Sequence, residues 1–118
     1  MHTALLLEMA AEAFPDRPAL GPRDGGMDFA ELAARTRGGA AWLAAQGEGT
    51  VVFLGLNGPA LPVAIFASGA LGRPFAPLNY RLPDDDLRRL LARTAPSVAI
   101  VDDDMLPRVA GTPTTLPT

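Results

Sequence analysis

Cysteine is absent from the 118 residues, which excludes disulfides, thiolate metal sites and cysteine nucleophiles. Lysine is absent too: all ten basic residues are arginines, so no amine is available as a nucleophile or as a point charge on a phosphate. The single histidine, His2, lies at the chain terminus with no orienting carboxylate beside it. It reads as a solvated end, which disfavours zinc chemistry and a serine-histidine triad. A formal net charge of -3, a pI near 4.9 and the lack of any arginine run give no broad positive field, so nucleic acid is not an expected partner. Long apolar runs are missing as well. The longest, Ala60 to Leu71, contains Pro62 and falls well short of the roughly 20 residues that cross a bilayer. Leu5, Leu6 and Leu7 follow no basic residue and precede Glu8 and Glu12, unlike a secretory signal, so a cytoplasmic chain is expected.

What is present suits a folded core. Apolar residues make up 48% of the chain and charged residues 19%, with a mean hydropathy of +0.17. The length allows one domain or part of one.

Between Thr3 and Phe14, Leu5, Leu6, Met9, Ala10 and Ala13 recur at helical spacing around Glu8 and Glu12, predicting an amphipathic helix that Pro15 ends. Arg17 to Leu20, the turn chemistry of Pro22 and Gly25-Gly26, and Met27 predict a small hairpin. Asp28 followed by Glu31 forms a capping-box arrangement, and Phe29, Leu32, Ala33, Thr36, Ala40 and Leu43 line one face of the helix it opens. Arg35 and Arg37 point outward, Gly47 stops the helix, and Gly38-Gly39 suggests close packing.

Thr50 to Leu56 is a continuous apolar run with β-branched residues, as in a buried parallel strand, with Asn57 placed to cap the next helix. That helix, Pro59 to Leu71, is apolar almost all round and needs cover on more than one side. Phe75 to Leu78 and Ser97 to Val101 supply two further strands. Between them Pro83 and Asp84, Asp85 and Asp86 open a helix whose inward face is Leu87, Leu90, Leu91 and Ala95. Strand, helix, strand, helix, strand predicts an α/β fold with a mainly parallel sheet flanked by helices. Residues 1-104 form this segment, and 105-118 read as an irregular tail.

The segment Gly69 to Leu82, with Pro77-Leu78-Asn79-Tyr80-Arg81-Leu82 at its end, resembles a stretch of the AMP-forming acyl-CoA synthetases, the adenylate-forming enzyme superfamily. Phe14-Pro15-Asp16-Arg17-Pro18-Ala19-Leu20, Met27-Asp28-Phe29-Ala30-Glu31-Leu32 and Leu56-Asn57-Gly58-Pro59 resemble further pieces of that family, in its order. Asn79 makes the match look more like fatty-acid-CoA ligases than peptide-synthetase adenylation domains, which more often carry Asp there. Two departures stand out. Asp28 replaces the usual Thr, and Gly47-Glu48-Gly49-Thr50 is shorter than the customary loop.

The resemblance implies a partial amino-terminal subdomain of the synthetase fold. It also implies an activity in which ATP and a fatty or other carboxylic acid form an acyl-adenylate and pyrophosphate, after which coenzyme A displaces AMP. ATP, Mg and coenzyme A are implied for the full-length family. This chain lacks the lysine-bearing Ser/Thr/Gly-rich loop such chemistry needs, because Gly111-Thr112-Pro113-Thr114-Thr115 has hydroxyls but one glycine, adjacent proline and no lysine. The implied partner is the remainder of the synthetase.

No catalytic, cofactor-binding or metal residue is therefore assigned. Asp84, Asp85 and Asp86 read as complements of a helix dipole rather than a Mg site. Asp102, Asp103 and Asp104 follow a strand end, where open sheets often bind ligands, but read as a solvated loop. Asn79 is expected to bond its own turn and Arg81 to pair with the Asp84 to Asp86 cluster, with ligand contact by Asn79, Arg81 or Asp102 left open. Trp42 and the methionines read as packing groups. Two other readings stay open. One is a non-enzymatic interaction module that self-associates through uncovered apolar helices or binds another chain. The other is a small Rossmann-like nucleotide binder, for which Gly55-Leu56-Asn57-Gly58-Pro59 is a poor turn because Pro59 removes an N-H donor.

Overall fold

Asp28 closes one element and opens the next. In the computed structural model, which describes residues 3-22, 25-56 and 58-111, strand β2 (Met27–Asp28) pairs antiparallel with β1 (Pro18–Leu20) as the expected hairpin. The Asp28 carboxylate then accepts the Glu31 N-H at 2.8 Å, and helix α2 (Phe29–Gln46) begins. Only half of the capping box forms, because the Glu31 carboxylate turns to Arg35, one helical turn ahead, at 2.8 Å. Of the two glycines in α2, Gly39 faces Val63 and Ala67 of the next helix and Gly38 faces open space.

Strands β3 (Thr50–Leu54), β4 (Phe75–Pro77) and β5 (Ser97–Val101) form a parallel sheet in the order β4-β3-β5. Val51 lies opposite both Phe75 and Val98, so alternate residues of the three strands share a face. On one face Val51 and Val98 pack with Leu43 of α2 and Ala67 of helix α3 (Ala60–Ala70). On the other, Val52, Leu54 and Ala99 pack with Leu87 and Leu91 of helix α4 (Asp84–Arg93). Helices thus cover both faces of the α/β fold, which explains why β3 reads as a continuous apolar run rather than an alternating one.

Gly49 holds the turn into β3. Its φ is +96°, and a Cβ there would overlap the Pro96 carbonyl, so only glycine fits. Arg73 ties down the same turn by donating to the Gly49 carbonyl at 2.7 Å and to Leu43, in the last turn of α2, at 3.2 Å.

Several expectations are corrected. Helix α1 (Thr3–Ala13) buries Ala4 and Leu7, whereas Leu5, Leu6 and Met9 face outward. Three consecutive leucines leave the inward face ambiguous by one position, or 100° of rotation. Helix α3 is covered on two sides within the chain, by α1 and α2, so its apolar girth does not require an outside element everywhere. Ala95 is exposed, while Leu87 and Leu91 carry the buried face of α4. Regular structure also continues past residue 104. A 3-10 turn (Asp103–Met105) leads into the short helix α5 (Leu106–Val109), and Met105 and Val109 are buried against β3, β5 and α4. Pro107 is tolerated because the first helical turn lacks intrahelical partners for its N-H groups. His2, the Asn57 cap and residues 112 to 118, including most of the Gly111 to Thr115 segment, lie outside the described residues.

Candidate functional site

The helices fix where a site could lie. Connection β3 to β4 runs through α3 on one face, and β4 to β5 runs through α4 on the other, so the chain reverses its winding between β3 and β5. In open α/β sheets the crevice at the carboxyl ends of two such strands is the usual ligand position. Here that crevice lies between Gly55-Leu56, after β3, and Asp102, after β5.

Asp102 fills it. Its backbone N-H donates to the Leu54 carbonyl at 3.0 Å, continuing the β3-β5 ladder by one residue. Its carboxylate turns across and accepts the Leu56 N-H at 3.0 Å. Gly55 makes room: a Cβ there would stand 2.6 Å from the Asp102 Oδ1. An anion entering this crevice meets a carboxylate already holding the donor it needs. The residues present therefore do not fit a nucleotide phosphate, in accord with the sequence's lack of lysine. Asp102 is accordingly not the solvated loop residue expected, whereas Asp103 and Asp104 are exposed.

The loop after β4 is held by a residue the sequence did not single out. Arg108 of α5 donates to the Asp84 carboxylate at 2.7 Å, to the Tyr80 carbonyl at 2.7 Å and to the Leu82 carbonyl at 2.6 Å. The planar guanidinium meets three acceptors at once, a geometry lysine could not match. Arg88 of α4 donates to the Arg108 carbonyl at 2.9 Å, closing the connection between α4 and α5. Within the loop, the Asn79 Oδ1 accepts the Arg81 N-H at 3.0 Å, the expected side-chain-to-backbone turn. The expected pairing of Arg81 with the acidic cluster does not occur. The Arg81 guanidinium lies 5.7 Å from the Tyr80 ring centroid, Arg108 takes Asp84, and Arg89 takes Asp86 at 3.2 Å. Sequence proximity favoured Arg81, but the fold brings Arg108 closer.

Among the described residues no group of three His, Asp or Glu side chains is arranged to hold a metal ion, and no helix is long and apolar enough to cross a membrane. Trp42 does not sit in the core. It is half-exposed beside Leu43, Val63, Ala67 and Ile100, along an apolar groove of about 300 Å³. The structure brings together Asp102 with Leu56 and Arg108 with Asp84. Asn79 and Arg81 meet within the loop after β4, and Asp102 stands just past the end of β5.

Comparison with known proteins gives this arrangement a family. The AMP-binding enzyme family model matches residues 7–117. Indoleacetate–CoA ligase of Aromatoleum aromaticum is 35% identical over 104 residues, covering 86% of this chain and 19% of that protein. Enterobactin synthase component F of Escherichia coli O157:H7 is 34% identical over 119 aligned positions, covering 94% of this chain and 9% of the relative. Among solved structures, a Rhodopseudomonas palustris protein assigned as a long-chain-fatty-acid CoA ligase superposes with a TM-score of 0.86 at 29% identity, covering 95% of this chain and 29% of that one. A benzoate CoA ligase from Burkholderia xenovorans shares the fold with a TM-score of 0.84 at 21% identity, covering 98% of this chain and 25% of that one. The chain spans about a fifth of the length of the first of these curated relatives. A parallel sheet in the order β4-β3-β5, the turn after β4 and a match along nearly the whole sequence together make this chain a member of the AMP-binding enzyme family.

Proposed function

We propose that this chain acts as the amino-terminal layer of an AMP-forming acid-thiol ligase, whose whole activity converts a carboxylic acid, ATP and coenzyme A into an acyl-CoA, AMP and pyrophosphate. On this reading the chain performs no chemistry alone. Its parallel sheet supports the enzyme, and the ATP-handling groups belong to the rest of the synthetase. The observation that carries the reading is the crevice between β3 and β5: the ligand position of an open α/β sheet is taken by the Asp102 carboxylate on the Leu56 N-H. Support also comes from the share of the relatives covered, a fifth to under a third of each CoA ligase compared above. The Pro77 to Leu82 segment favours a fatty acid as substrate, while the indoleacetate and benzoate ligases among the relatives widen the panel to aryl acids.

The test is ATP-pyrophosphate exchange with long-chain, indoleacetic and benzoic acids. The isolated chain is expected to show none. A chimera in which residues 7–117 replace the matching segment of indoleacetate–CoA ligase is expected to retain exchange. Turnover by the isolated chain, or a folded chimera without activity, would contradict the proposal.

A further inference from the structure

We draw no further inference here: the strongest candidate, the apolar stripe of Leu5, Leu6 and Met9 on the outer face of helix α1 with the groove beside it, is an unpartnered surface, and nothing in the structure shows what covers it.

Discussion

The sheet half of the molecule and its amino-terminal half are held in different ways. Around β3, β4 and β5, long-range polar bonds cross between elements: Asp102 to Leu56, Arg108 to Tyr80 and Leu82, and Arg73 to Gly49 and Leu43. Each satisfies a backbone group at the end of a strand or helix, where the ladder runs out of partners. The amino-terminal half packs Leu7, Met27, Leu32 and Ala33 into a separate small core, and among the described residues its side-chain polar links include the exposed Glu8-Arg37 and Glu31-Arg35 pairs and the Asp28 cap. One half is fastened at its edges. The other relies on apolar packing and leaves an apolar face outward. The difference teaches that polar bonds between elements fasten the sheet half, whereas α1 is held by one apolar face and leaves Leu5, Leu6 and Met9 outward.

Substitutions can break that contrast in graded steps. The largest effect is expected from Leu87→Ala, which empties a fully buried position between α4 and the sheet. A loss of about 2-5 kcal/mol is expected by urea unfolding, whereas Leu5→Ala on the outer face of α1 is expected to change unfolding of the monomer by less than about 0.5 kcal/mol. Comparable losses at the two positions would mean that the assignment of the α1 faces is wrong. Next comes Arg108→Ala, which strips the Tyr80 and Leu82 carbonyls of their donor and is expected to cost about 1-3 kcal/mol. Asp84→Asn, which touches only the exposed ion pair of that clamp, is expected to cost about 0-1 kcal/mol, so a large loss there would assign the clamp to charge rather than to carbonyl satisfaction.

Asp102→Ala comes third. It leaves the Leu56 N-H without its acceptor and opens the crevice, with an expected loss of about 1 kcal/mol. Hydrogen exchange should show faster exchange at the Leu56 amide, and an unchanged rate would remove Asp102 from its assigned role. The smallest effect is expected from Glu8→Gln, within about 0.5 kcal/mol by thermal unfolding, because an exposed pair contributes little.

Much of the sheet half was legible in the sequence because each of its elements is bounded by its own chemistry. The β-branched run before Gly55, the prolines at 74 and 77, and the acidic start of α4 all point to one arrangement, and four segments in family order agree with it. Helix α1 was legible as a helix but not in its rotation, since Leu5, Leu6 and Leu7 leave several faces equally apolar and only tertiary packing chooses among them. Residues 105 to 109 were missed for a different reason. A four-residue helix carrying Pro107 is too short for periodicity to register, and the burial of Met105 and Val109 comes from contact with strands distant in sequence. Arg108 was missed with them, as its three acceptors lie 24 to 28 positions away. The site reading was least legible, because whether Asp102 is solvated or engaged depends on the adjacency of β3 and β5.

The account stands on the closed crevice between those two strands. Amide chemical shifts of the isolated chain, followed by nuclear magnetic resonance during titration with millimolar Mg-ATP, test it directly. The account predicts that the Gly55, Leu56 and Asp102 amides stay in place while Asp102→Ala alone displaces them. Saturable movement of those amides on adding nucleotide to the wild-type chain would contradict it.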